Sequence, residues 1–342
     1  MAASRDQAPT LIDPPALAFL EKSLGSPVRL SEIAGDASSR RFYRAIAGKK
    51  AAVLVVHPQP LTRGAPLFSN HRVLKSIGAP VPDILASDPP HGLILMEDLG
   101  DVTLQKHLAG AGPRRLAAEA SRMYRQACDL IILLHRKGAK ALKPQDFAAT
   151  CALDRERFLF ELDHFHRHFI LGHRQMAPAP ADDAMLRAFY ADLAETCDRL
   201  PRVYCHRDLQ SRNLMVLRGR LGLVDFQDAR MGPYTYDAAS LLRDSSLDLD
   251  PGMVDEMLVH LGRALEVAPD ELRRDFDLMA LQRNIKDLGT FGYMATVRGR
   301  REYLAYVPRT VRYVRNTLLR SRAYHVVYPA MERYVLARPS IG

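Results

Sequence analysis

Cys205-His-Arg-Asp-Leu-Gln-Ser-Arg-Asn-Leu214 is the stretch whose reading decides the fold. Asp208 is a carboxylate able to accept a hydroxyl proton. Five residues on, Asn213 offers an amide oxygen of the hard kind that Mg²⁺ selects. Two apolar runs follow, divided by Arg218-Gly-Arg220 and ending at Asp225. The pattern predicts a hairpin that returns Asp225 to the side of Asn213. Singly, each of these residues reads as a turn or cap. Together, at this spacing, they point to a phosphoryl-transfer centre with Asp208 as the catalytic group and Asn213 and Asp225 as metal ligands.

Outward from this centre the chain changes character. Residues 41–46 and 51–56 read as neighbouring strands, 68–77 as a helix, and 92–97 as a strand closing on Glu97-Asp98. After Gly100 the apolar spacing becomes helical, over 116–136, 152–171, 182–199, 251–265 and 270–291. The expected class is α+β, a small β-rich lobe before a large helical one. The expected boundaries are a leading extension and helix at 1–27, a β-rich lobe at 28–98 and a helical lobe at 99–342.

Composition narrows the function classes. The 342 residues suffice for two lobes. No run of about eighteen apolar residues and no charged-then-apolar leader is seen, so a cytoplasmic protein without membrane attachment is expected. Four cysteines without short paired spacing suggest neither a zinc ribbon nor a disulfide framework. The net charge is +9, but residues 298–342 hold ten arginines against Glu302 and Glu332, so the excess is local. Leu304, Val307, Val311, Val314 and Leu318 predict an apolar helix stripe there, with most arginines elsewhere on the wheel. A solvated outer face accounts for this better than a nucleic-acid surface.

On Cys-His-Arg-Asp-Leu-Gln-Ser-Arg-Asn-Leu (205–214) and Leu-Val-Asp-Phe-Gln-Asp-Ala-Arg-Met-Gly-Pro (223–233), the chain resembles the aminoglycoside phosphotransferase and choline-kinase-like small-molecule kinases. Gly35-Asp-Ala-Ser-Ser-Arg-Arg-Phe-Tyr-Arg, Met96-Glu-Asp-Leu-Gly-Asp, Tyr236-Asp-Ala-Ala-Ser-Leu and Leu281-Gln-Arg-Asn-Ile-Lys are similar to the branch that phosphorylates the anomeric hydroxyl of N-acetylmuramate and N-acetylglucosamine. The resemblance implies a two-lobed, protein-kinase-like fold, ATP and Mg²⁺ as cofactors, and a small acceptor such as an amino sugar. It also implies that Asp208 orients or deprotonates the acceptor hydroxyl, that Asn213 and Asp225 hold Mg²⁺–ATP, and that Asp237 braces the catalytic loop. Backbone groups around Glu97 and Leu99 would bind adenine.

Two partners usual in that shape are missing. The strand reads Ala-Val-Leu-Val-Val-His-Pro (52–58) without its phosphate-binding lysine, and the helix reads Pro-Leu-Phe-Ser-Asn-His-Arg (66–72) without the glutamate that holds it. Arg40 and Arg41 are the candidate replacements, with Ser38 and Ser39 of the preceding turn as further phosphate contacts. His164 and His168 have spacing able to clasp a metal. Phe158, Leu162, Phe165 and Phe169 mark the buried stripe of the same helix, which places the histidines on its polar face. Asp228 reads equally as a site residue or a turn cap. Besides an amino-sugar kinase, the sequence leaves open an aminoglycoside or amino-alcohol kinase and a nucleotide-binding scaffold without activity.

Overall fold

The computed structural model describes residues 12–33, 39–62, 64–110 and 113–337. Strands β1 (Arg29–Ile33), β2 (Arg41–Ala47), β3 (Lys50–Val56), β4 (Ile84–Asp88) and β5 (Leu93–Glu97) form one antiparallel sheet in the order β1-β2-β3-β5-β4. The two-residue period of the strands divides their side chains between two cores. Tyr43, Ala45, Ala52 and Leu54 pack with Ala16, Leu20 and Leu24 of helix α1 (Pro14–Leu24). Val55, Ile94 and Met96 join the main core, shared with α2 (Pro66–Ser76) and the large lobe.

The large lobe contains α3 (Leu104–Ala109), α4 (Pro113–Leu133), α5 (Arg155–Phe165), α6 (Pro180–Asp198), α7 (Tyr236–Leu242), α8 (Pro251–Leu265), α9 (Pro269–Thr296) and α10 (Val307–Arg320). Proline at the first turn of α6, α8 and α9 fixes φ where no intrahelical N–H bond is lost. Asp154 caps α5 through Arg157 N at 2.9 Å. Two antiparallel ribbons sit among these helices: β6 (Arg202–Cys205) with β9 (Arg230–Pro233), and β7 (Leu214–Leu217) with β8 (Arg220–Leu223). Helix α9 lies against α5 and its π-helical continuation, His166–His173. A Cβ at Gly289 would stand 2.6 Å from Phe165 Cα, and one at Gly292 would overlap the His168 carbonyl, so this crossing requires glycine.

Among the contacts that join the lobes, Leu223 N donates to Pro80 O at 2.8 Å and Asn70 of α2 reaches the segment after Asp225. The predicted C-terminal stripe holds for Val307, Val311, Val314 and Leu318 and departs at Leu304. Leu304 belongs to a separate turn, Arg301–Tyr306, which breaks the helical register, and the buried face of α10 is Thr310, Tyr313, Val314, Thr317 and Leu318. Its arginines are engaged: Arg309 on Ser245 O at 2.8 Å, Arg320 on Asp277 at 3.1 Å, and Arg312 on Asp248. All four cysteines are free, and Cys128, Cys197 and Cys205 are buried. Among the described residues, no helix is long and apolar enough to cross a membrane.

Candidate active site

The catalytic segment leaves β6 and is tied down from both ends of α7. Asp237 accepts the backbone N–H groups of His206 at 2.7 Å and Arg207 at 2.9 Å. Just beyond α7, Asp244 accepts from Ser211 N at 2.9 Å and Ser211 Oγ at 2.6 Å. Arg207 takes φ +80°, a conformation that costs a non-glycine residue on the order of 1 kcal/mol or more. Asp237 holds its N–H, and buried Arg283 of α9 donates to its carbonyl at 2.9 Å while lying 4.7 Å from the Tyr236 ring centroid.

Within this frame the three predicted residues come together. Asn213 donates its amide N–H to Asp208 O at 2.8 Å, so the oxygen is the atom it can offer a cation. Val224 N donates to Asn213 O at 3.1 Å, and His206 Nε2 lies 3.1 Å from Val224 O. The β7–β8 hairpin, turning at Arg218 (φ +49°) and Gly219 (φ +76°), thereby delivers Asp225 beside the catalytic loop. Burial works against ionisation of Asp208. The charges of Arg207, Lys286, Arg283 and His206 outweigh it and hold the carboxyl well below the usual carboxylate range.

A polar cluster flanks Asp208, and of its members sequence reasoning singles out only Asp228 as a possible site residue. Glu161 of α5 is buried, accepts from Gln282 Nε2 at 3.0 Å and lies 3.7 Å from Arg207. Asp228 pairs with Arg207 at 3.3 Å and Arg230 at 3.0 Å. Gln282 Oε1, Arg283 Nη2, Arg207 Nε and Tyr236 Oη are buried without a hydrogen-bond partner among the described residues. Gln282 and Arg283 lie inside Leu281-Gln-Arg-Asn-Ile-Lys, a stretch quoted for its resemblance but given no role.

On the small-lobe side, the positions expected for the lysine and glutamate have other occupants. The β3 residues on the main-core face are Val53 and Val55. On α2, buried Asn70 donates to Phe226 O at 3.2 Å, Gln227 O at 3.0 Å and Ala229 O at 3.0 Å, bracing the segment that carries Asp225. Arg40 donates to Asp225 Oδ1 at 2.8 Å and Gln227 Oε1 at 2.9 Å. Arg41 lies elsewhere. One step along an extended chain turns it to the opposite face, where it lies over Tyr43, pairs with Glu32 at 3.5 Å and lines a hollow of about 270 Å³ with Asp13 and His57. Ser39 precedes β2 and is exposed, whereas Ser38 lies outside the described residues.

Glu97 ends β5 opposite Ala52, and its N–H already bonds Asp83 O at 2.8 Å. Arg44 clamps the segment after it, on both Asp98 oxygens at 2.6 and 3.1 Å and on Asp101 at 2.9 Å. Leu99 lies over Gly222, where a Cβ would come within 2.8 Å of its Cδ1. His164 and His168 lie tilted against each other, centroids 4.3 Å apart, and both contact Tyr293. His166 is buried, 3.3 Å from Asp183, so it does not share the predicted polar face. No group of three or more His, Cys, Asp or Glu able to hold a metal occurs among the described residues. Asn213 and Asp225 fit a different case: two hard oxygen donors suited to a Mg²⁺ whose remaining ligands come from phosphate.

A bilobal fold with this loop, hairpin and pair of oxygen donors defines a kinase-like phosphotransferase. Residues 29–274 match the phosphotransferase enzyme family (APH), and the chain belongs to it. It is 29% identical over 301 residues to an N-acetylmuramate/N-acetylglucosamine kinase of Pseudomonas aeruginosa, covering 86% of this chain and 85% of that one. An enzyme of the same name from Neisseria meningitidis is 28% identical over 309 residues, 88% of each chain. Among solved structures, the streptomycin–ATP–APH(2")-IIa ternary complex superposes with a TM-score of 0.59 at 15% identity, over 86% of this chain and 97% of that one.

Proposed function

We propose that this chain transfers the γ-phosphate of ATP, with Mg²⁺, to a hydroxyl of an N-acetylated amino sugar, and that the hydroxyl is the anomeric one of N-acetylmuramate or N-acetylglucosamine, in cell-wall recycling. The observation that carries the reading is the linkage of Asp208, Asn213 and Asp225 through the Asn213 side-chain and backbone bonds at 2.8 and 3.1 Å. The relatives in Pseudomonas and Neisseria, matched over most of their length, support the acceptor class.

In this reading the acceptor oxygen attacks the γ-phosphorus, the bond to the ADP oxygen breaks, and the hydroxyl proton passes to Asp208. A carboxyl held so acidic is a weak base, so its main contribution is to orient the hydroxyl and take the proton late. Mg²⁺, held by Asn213 Oδ1, Asp225 and the phosphates, would neutralise charge on the transferring group. Adenine would lie against the backbone of Glu97–Leu99, and Ser39 would approach the phosphates. The unpartnered polar atoms of Arg207, Tyr236, Gln282 and Arg283 suit an acceptor rich in hydroxyl and amide groups.

ADP release is to be measured with N-acetylmuramate, N-acetylglucosamine, aminoglycosides and amino alcohols as acceptors. Turnover with the N-acetylated sugars alone is the expected result. Turnover only with aminoglycosides or choline-like amines would replace the acceptor assignment, and ATP binding without turnover on any acceptor would favour a scaffold.

A further inference from the structure

We propose that Arg40 does the work of the missing strand lysine and is the small-lobe cation that receives the nucleotide phosphates. This rests on the MgATP-dependent reading above. Arg40 immediately precedes β2 and reaches across to Asp225 of the large lobe. Its guanidinium reaches Asp225 Oδ1 at 2.8 Å and Gln227 Oε1 at 2.9 Å, and Gln227 Nε2 returns to the same Asp225 oxygen at 3.1 Å. The Arg40 side chain is only 15% exposed and lies over Phe42 at 5.5 Å, which fixes its direction.

Three observations converge on this residue. First, Val53 and Val55 occupy the β3 positions that face the main core, so no ammonium comes from there. Second, Asn70 stands on the inner face of α2 and spends its amide on the carbonyls of Phe226, Gln227 and Ala229. A lysine-holding carboxylate at that place would instead repel those oxygens. Third, Asp225 is the acid that would hold the metal of a metal–nucleotide complex, and the Arg40 guanidinium touches it at 2.8 Å. A planar guanidinium offers paired donors that match phosphate oxygens, and a charge-assisted bond there strengthens as negative charge gathers.

The pairing with Asp225 gives Arg40 a second part. Before nucleotide arrives, the arginine balances the acid and holds the segment in place. With that carboxylate engaged by a metal, the guanidinium would be free to bond the phosphates instead. Arg41, on the other face of the strand and paired with Glu32, has no such path.

The test uses the full chain and separates phosphate contact from fold. Affinities for ATP and for adenosine are measured directly by calorimetry in Mg²⁺, alongside KM and kcat. Arg40→Ala is expected to weaken ATP binding by about tenfold or more and to lower kcat on the order of 10²-fold, with adenosine affinity unchanged. Arg40→Lys should recover part of the ATP affinity. Equal weakening of ATP and adenosine, unchanged ATP binding in Arg40→Ala, or an equal loss in Arg41→Ala would each overturn the assignment. In those outcomes wild-type ATP binding leaves the kinase reading standing, whereas a wild-type chain that binds no ATP overturns both.

Discussion

Tyr204 donates its hydroxyl to Asn70 Oδ1 at 3.2 Å, both side chains being buried. The bond settles which way the amide points: its oxygen faces β6, and its nitrogen faces the three carbonyls after Asp225. One asparagine thus joins a small-lobe helix, the strand before the catalytic loop and the segment bearing the second acid.

Asn70→Ala leaves those carbonyls and the tyrosine hydroxyl without their partner. Denaturant melts should show a loss of about 2–3 kcal/mol, and kcat should fall because Asp225 is no longer braced. A variant as stable and active as wild type would contradict the bracing role.

Asp208→Asn keeps the shape of the side chain and removes the proposed proton acceptor. Turnover is expected to drop on the order of 10²–10⁴-fold while ATP affinity persists. In wild type, the charges around Asp208 keep it ionised through the ordinary carboxylate range, so it imposes no acid limb between about pH 5 and 8. A rate profile falling with a midpoint near that range and traced to Asp208 would refute the electrostatic picture.

Asp237→Ala strips the acceptor from two backbone N–H groups, those of His206 and Arg207. A stability loss of about 2–5 kcal/mol is expected, because Arg207 must hold its left-handed backbone without that anchor. Chemical denaturation reads that loss, and kcat should fall as well because the loop bearing Asp208 is no longer held.

Burial pushes the imidazoles of His135 and His164 down to about 4. The unfolded chain takes up these protons near pH 6.5. Between that value and about 4, the unfolded state therefore binds more protons, and stability falls as pH falls through the window. His135→Gln should flatten the decline in melting temperature between pH 7 and 4.5; an unaltered slope would remove His135 as a source.

Gly292→Ala forces a methyl group into the His168 backbone. The expected cost is about 2–3 kcal/mol or more. Gly110→Ala, where the nearest atom is the Lys106 carbonyl oxygen at 3.6 Å, serves as the comparison and should change stability little.

The catalytic loop and hairpin were legible in the sequence because their chemistry is contiguous: Asp208, Asn213 and Asp225 lie within one short segment and need only a turn to meet. Strands β2 and β3 were also legible from their apolar runs. Strands β1 and β4 were not. Both are sheet edges with mostly exposed or half-covered residues, and β4 carries a register shift between Ile84 and Ala86, so neither shows a sustained period. Asn70 was invisible for another reason. An asparagine in a helix has no signature of its own, and its meaning comes from carbonyls 156 to 159 positions away. Arg40 and Arg41 could not be separated before strand direction was known.

The valines at 53 and 55 have a practical consequence. A reactive group aimed from the nucleotide at those two positions meets aliphatic carbon, so an amine-directed covalent ligand has to find its lysine elsewhere. Lys286, near enough to Asp208 to lower the pKa of its carboxyl, is an amine beside the site.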